Sequence, residues 1–376
     1  MSAHTTPVNR YKVRDVRDAT REEWDGWLET SPGGGHVLQS YDWGEFKRAQ
    51  GWKPVRLVLE RDGEVVGAGQ FLSYNTIPVP GYLMYCTKGP WLPWEDAEAV
   101  RAFFEGVKEI AIRKGAHTVK IEPEVLEEQR EVRSLLGGIG FLKARYDLNY
   151  SATVVMNLSA PEEELLDQMS GKSKKGKTTR YNINVANRKG VEVIEPGPED
   201  FEWAFDTLHG WIEGLAETKE GFSNRRPREY FHDMMLRMRD AGRGRFFFAR
   251  HDGDLLSGAF IFTFGKKFWF MHGASVPDRE KRKLQGTYLL QWEIMRRAKR
   301  EGMIHADMVG ALKREERTKD NPYYGSYEFK RGFGGDLVDF IGCLDLPIKA
   351  RNAALWYRLE PYYYRLYYKL KNNIFY

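Results

Sequence analysis

The sequence predicts an α/β fold, α+β in detail, in which one mixed-sheet unit occurs twice. Three observations predict it. A strand, turn and strand centred on Asp62-Gly63 return around Asp252-Gly253, 190 residues later. In both places a third short strand, a helix with one apolar stripe and a further strand follow at nearly the same offset. With 42% hydrophobic and 30% charged residues the chain has the composition of a soluble protein with substantial cores, and its 376 residues leave room for two domains.

Each element has a local cause. Ala19 to Thr30 reads as a short helix closed by Ser31-Pro32-Gly33-Gly34-Gly35. Gln39 to Lys47 reads as a second helix, with Ser40 as the capping hydroxyl and Asp42 in the first turn, where the helix dipole favours an acid. Trp43 and Lys47 are four residues apart and share a face. Val55 to Glu60 alternates as a half-buried strand does, Asp62-Gly63 supplies the turn, and Val65 to Tyr74 runs back. Tyr82 to Cys86 is a third strand. Val100, Phe103, Phe104, Val107 and Ala111 draw a stripe at helical period. His117 to Pro123 is a strand stopped by proline, with Glu122 at its exit. The second copy has Arg245 to Ala249, Leu255 to Phe264, Phe268 to His272, the stripe Leu284, Tyr288, Trp292 and Met295, and Met303 to Met308. A strand pair, a third strand, a long helix and a fourth strand resemble the GCN5-related N-acetyltransferase fold, here in tandem. The expected boundaries are 1–158 and 159–345, followed by a basic, aromatic helix within 346–376.

Composition excludes several classes. A net charge of +5 is too mild to announce a nucleic-acid binder by itself, so local clusters must carry that case. Cys86 and Cys343, the two cysteines, make neither a disulfide framework nor a zinc cage, which suits a reducing cytoplasm. The start is polar, without the apolar core of a signal peptide, and no run reaches the length of a membrane span. No HExxH, paired CxxC or GxSxG is present, so metal hydrolysis and a nucleophile elbow have no support.

One motif match misleads. Gly171 to Thr178 satisfies the P-loop pattern, but the residues before it read as a helix where a phosphate-cradling loop needs a strand. Its lysines instead suit phosphates of a large ligand, or a solvated helix end; the residues leave both open. Arg282 to Tyr288 stands where the acetyltransferase fold turns around a CoA pyrophosphate, and keeps Gly286 with Tyr288 in place of a small residue. Arg226 and Tyr230, four apart at a helix start, suit an anionic, ring-bearing ligand or serve as a helix-entry pair. The stretch Tyr327-Glu328-Phe329-Lys330-Arg331-Gly332-Phe333-Gly334-Gly335 sets a lysine among aromatic residues and follows it with glycines that let another backbone approach. A lysine partly out of water acts strongly on a nearby anion and suits the oxyanion of acyl transfer. The alternative is a solvent-facing lysine in a strand.

Taken in order, several stretches resemble the FemABX family of peptidoglycan peptidyltransferases over nearly the whole chain. They are the Gln39 to Lys47 helix with its Trp43-x-x-x-Lys47, Lys120-Ile121-Glu122-Pro123, Lys177 to Ile183 and on to Lys189-Gly190-Val191, Arg226-x-x-x-Tyr230, His272 to Ser275, Asp307-Met308-Val309-Gly310 and Phe329 to Gly335. The resemblance implies an aminoacyltransferase that moves an amino acid from aminoacyl-tRNA to the side-chain amine of a stem-peptide diamino acid. The acceptor would be UDP-MurNAc-pentapeptide or lipid II, with no metal or other cofactor, since the tRNA ester is already activated. Lys330 then corresponds to the catalytic lysine, with Phe329 beside it. Lys47, Arg226 and Tyr230 correspond to acceptor-binding residues, with Trp43 on the same helix face as Lys47. Glu122 stands where the family has an aspartate near the acceptor amine, and Phe270 or Met271 where it has a tyrosine. Lys172, Lys174, Lys175, Lys177 and Arg180 are the candidate tRNA contacts. The chain is expected to lack the coiled-coil arm of some members, because residues 214–240 hold one helix's worth of sequence. Its tail suits either a peripheral membrane contact or packing on the second domain. The rival readings are a CoA-dependent N-acyltransferase and a non-catalytic binder of precursor or RNA.

Overall fold

The computed structural model describes residues 10–169, 178–218 and 226–376. In order these form β1 (Tyr11–Asp15), α1 (Arg21–Glu29), α2 (Tyr41–Ala49), β2 (Lys53–Arg61), β3 (Glu64–Asn75), β4 (Tyr82–Cys86), α3 (Ala97–Lys114), β5 (Ala116–Ile121), α4 (Arg130–Ile139) and β6 (Leu142–Lys143). Next come β7 (Ala152–Asn157), α5 (Glu162–Gln168), α6 (Thr179–Arg188), β8 (Glu192–Ile194), α7 (Phe201–Thr218), α8 (Arg228–Asp240), β9 (Gly244–His251), β10 (Asp254–Phe264) and β11 (Lys267–Ser275). The chain finishes through α9 (Arg279–Arg282), α10 (Gly286–Arg300), β12 (His305–Asp307), α11 (Tyr324–Arg331), β13 (Asp336–Asp339), β14 (Leu344–Pro347) and α12 (Ala350–Lys371).

Local chemistry sets the expected elements. The Ser40 hydroxyl accepts from the Trp43 amide and starts α2, while Thr20 and Glu23 form a reciprocal capping box at α1. Asp62-Gly63 and Asp252-Gly253 take φ of 53°, 88°, 49° and 83°, the paired left-handed residues of a tight hairpin, and so join β2 to β3 and β9 to β10. α3 starts on the Asp96 carboxylate and stops at Gly115, whose φ is 76°. All five predicted stripe residues of α3 are buried, against Leu57, Phe71 and Met84 of the sheet.

The two compact units are Met1–Asn149 with Phe340–Leu366 and Tyr376, and Tyr150–Asp339 with Tyr367–Phe375. The first holds the sheet β1-β2-β3-β4-β5-β14-β6, the second β13-β7-β12-β11-β10-β9-β8. In each, three antiparallel pairings lead to one parallel pairing, β4 with β5 and β11 with β12, bridged by α3 or α10. Beside the strand after the bridging helix lies a strand from elsewhere in the chain. It is β14, from the C-terminal side, in the first sheet, and β7, from the connection, in the second. That exchange moves the sequence-based boundaries. A cut at 158 would strip the second sheet of β7, and a cut at 345 would split β14.

Two further expectations change. The Lys330 stretch is the helix α11, so the strand alternative does not form. Residues 214–240 hold the end of α7 as well as α8, and the nine residues from 219 to 227 between these helices leave no length for an arm. The tail does form a helix, α12, with Pro361 inside it. Proline offers no amide to the carbonyl four residues back, and the Arg145 guanidinium donates to that Tyr357 carbonyl instead, 3.1 Å away.

Candidate functional site

In the second unit, Lys330 points its ammonium at backbone rather than at rings. It donates to the carbonyl of Val309 and, at 2.6 Å, to that of Gly310. Both carbonyls belong to the turn that leaves β12, and that turn is forced into shape. Val309 has φ of 50° and Gly310 of 64°. A β-branched residue in the left-handed region clashes with its own carbonyl and is a true outlier. Asp307 holds it there. Its buried carboxylate accepts the Val309 amide at 2.8 Å and the Thr153 hydroxyl at 2.5 Å, and the Tyr150 hydroxyl at 3.4 Å.

Burial pulls the Lys330 ammonium down to about 8, against an opposing upward pull from Asp307. The cation is therefore held mainly by carbonyl dipoles, with one acid in the background. Phe329 does not wall it. Its ring meets Tyr288 at 5.0 Å and Phe333 at 5.2 Å, which anchors α11 to α10 and the core. The glycines after α11 do admit close backbone. A Cβ on Gly334 would come within 2.7 Å of the Gln168 carbonyl oxygen, and one on Gly335 within 2.6 Å of that of Val155.

Glu122 lies in the first unit, at the exit of β5, and is fully buried. Its carboxylate accepts the Tyr85 hydroxyl at 2.7 Å, the Asn149 amide at 2.9 Å and the Asn149 side chain at 2.7 Å. Burial foremost, and then the Glu122 charge, push the Tyr85 phenol well above its usual range, so it stays a donor. Three donors leave little of the carboxylate free, which suits holding an amine better than taking its proton.

Trp43 and Lys47, four residues apart on α2, are both buried. The Lys47 ammonium stands over the Trp52 ring at 5.2 Å, and the Trp43 ring lies 5.2 Å from Phe46. Tyr376 reaches the same neighbourhood, 6.1 Å from Trp52 and 5.2 Å from Tyr85. Arg226 stacks on Tyr230 at 4.2 Å and donates to the Asn373 side chain and the Ile374 carbonyl, so the chain itself engages this pair. Phe270 packs against the second core. Arg180, at the start of α6, is paired with Asp167. Lys172, Lys174, Lys175 and Lys177 lie outside the described residues. The end of the basic run, Arg188 and Lys189, lines an open cleft of about 550 Å³ with Tyr181, Asn182, Lys283 and Gln285.

The residues that sequence reasoning missed are Asp307 as the support of the Lys330 turn, and Tyr85 and Asn149 as the partners of Glu122. Asp307 stood inside a quoted motif; the other two carried no signal.

These features define a tandem acetyltransferase-like α/β protein. Residues 19–135 match the FemAB family, and residues 173–331 an acetyltransferase (GNAT) domain. The lipid II:glycine glycyltransferase of Staphylococcus haemolyticus (strain JCSC1435) is 24% identical over 387 residues, covering 87% of this chain and 91% of that one. A solved structure described as FemX superposes with a TM-score of 0.78 at 22% identity, covering 93% of this chain and all of that one. A tandem GNAT protein from the clavulanic acid pathway superposes at 0.51 with 12% identity, covering 90% of this chain and 98% of that one. The two superpositions speak for the fold. The sequence matches make the chain similar to FemAB proteins over most of its length.

Proposed function

We propose that this chain is an aminoacyltransferase that builds the interpeptide bridge of peptidoglycan, taking the amino acid from aminoacyl-tRNA and giving it to the stem-peptide amine of a precursor. The observation that carries the reading is the Lys330 ammonium on the Val309 and Gly310 carbonyls, in a chain similar throughout to a lipid II:glycine glycyltransferase.

The amine nitrogen attacks the ester carbonyl carbon. A carbon–nitrogen bond forms, the bond to the ribose oxygen breaks, the amine sheds a proton and the ribose oxygen takes one. Between these events the former carbonyl oxygen carries negative charge, and Lys330 supplies the opposite charge without having to reorganise. Glu122 orients the incoming amine. Trp43 and Lys47 are the acceptor contacts proposed in the first unit, Arg226 and Tyr230 those proposed in the second, where Phe270 takes the place of a hydroxyl contact. The donor's phosphates follow the basic run from Lys172 through Arg180. Among the described residues no helix is long and apolar enough to cross a membrane.

The test is to incubate the protein with a mixed charged-tRNA pool and either UDP-MurNAc-pentapeptide or lipid II, and to weigh the product. The expected result is an acceptor heavier by one or more aminoacyl residues. An unchanged acceptor with both, together with thermal stabilisation by acetyl-CoA, would favour the CoA-dependent rival.

A further inference from the structure

The helix α12 carries a face that the fold leaves uncovered. Leu355, Tyr362, Leu366 and Leu370 are 41%, 66%, 55% and 72% exposed. At the helical period these four fall within about 80° of arc and extend over roughly 22 Å. Alongside them runs a second row, Arg351, Arg358, Arg365 and Lys369, all exposed. The acidic residue of α12, Glu360, is on the opposite side, buried 3.7 Å from Lys120. An apolar stripe thus lies beside a cationic stripe, with no anion on either.

Three kinds of partner could meet such a surface. A second copy of the same face would bring like charges together. An RNA duplex would satisfy the cations and leave three leucines in water. An anionic bilayer satisfies both rows at once, because leucine and tyrosine side chains enter the interface while guanidinium and ammonium groups stay among the headgroup phosphates. We propose that α12 docks the protein, through its Leu355 to Leu370 face, on an anionic phospholipid surface. The inference deepens the proposed function by giving the enzyme a lipid-linked acceptor at that surface, and rests on that reading.

The test uses the full chain with vesicles of phosphatidylcholine alone or mixed with phosphatidylglycerol. Wild type should sediment with the mixed vesicles, release as salt is raised, and ignore phosphatidylcholine alone. Leu355→Ser/Leu366→Ser/Leu370→Ser, and separately Arg358→Glu/Arg365→Glu, should each weaken binding to the mixed vesicles by about tenfold or more, two charges and three apolar side chains being comparable in size. Their melting temperatures should match wild type, since these side chains are exposed. With soluble UDP-MurNAc-pentapeptide the variants should turn over like wild type. Wild type that stays in the supernatant, or variants that sediment as well as it does, would overturn the proposal. So would loss of self-association or of RNA binding in place of vesicle binding. Absence of turnover by wild type on every acceptor would sink the enzymatic reading and leave the vesicle result standing.

Discussion

Lys120 in the first unit and Lys330 in the second are both drawn out of bulk water, and they titrate in opposite directions. Burial pulls Lys120 down, but Asp345 at 2.8 Å and Glu360 at 3.7 Å outweigh it and hold the ammonium above its ordinary value. Burial pulls Lys330 down too, and there the Asp307 charge only moderates it, leaving the group at about 8. Lys120 has its charge cancelled on the spot. Lys330 leans on neutral carbonyls, so much of its field remains for a further anion. The same residue type is paired with acids in one unit and held by carbonyls in the other, and the number of nearby acids separates the two settings.

The largest expected effect breaks the structural member of the pair. Lys120→Met leaves Asp345 and the buried Glu360 without a counter-charge, and should cost about 3–5 kcal/mol of stability in a denaturant titration. Glu360 is already held above the usual carboxylate range, by burial first, with Lys120 pulling the other way. The variant should recover part of its stability as pH falls and Glu360 takes up a proton. An unaltered midpoint would show that the triad is neutral overall.

Next in size, Lys330→Met should leave the fold intact and lower the rate of transfer by about 10²–10³, the range for losing one oxyanion-stabilising group. The pH dependence sharpens this. In wild type the rate should fall as pH rises through about 8, because the ammonium then becomes an amine. Stability should move the other way. The folded value lies below the unfolded one of about 10.5, so between the two the unfolded chain holds a proton that the native chain has shed, and wild type gains on Lys330→Met over that window. Lys120, with its raised value, should contribute stability that persists below the unfolded value and is lost only above it. Parallel pH–stability curves for the two methionine variants would erase the contrast.

Much of the fold was legible because its causes are local. Two Asp-Gly turns, the Ser40 cap and the stripe from Val100 to Ala111 each declare themselves within a few residues. The exchange of β7 and β14 was not legible, since strands of six and four residues say nothing about which sheet will take them. For the candidate site, motif order pointed to Lys330 and Glu122, whereas their surroundings are long-range. Asn149 lies 27 residues beyond Glu122, and Thr153 lies 154 residues before Asp307. The aromatic letters around Lys330 suggested walls, yet α11 turns Phe329 toward Tyr288 and Phe333 while Lys330 faces the turn after β12.

Val309 offers the smallest and most discriminating change. Its left-handed backbone is a local expense of the fold, of order 1–2 kcal/mol for an L-residue, while its carbonyl is one of the two that receive Lys330. Val309→Gly removes the clash but also adds freedom to the unfolded chain, so stability should rise by about 1 kcal/mol at most. If the strain serves to aim the carbonyl, the loosened turn should nonetheless slow transfer by about tenfold, appearing in kcat with KM little changed. The pH at which the rate falls should also climb from about 8 toward the ordinary lysine value, because a mobile turn lets water reach the ammonium. A variant that is more stable, equally fast and unshifted in its pH profile would make the Val309 conformation incidental. The selectivity between Lys120 and Lys330 would then rest on charge count alone.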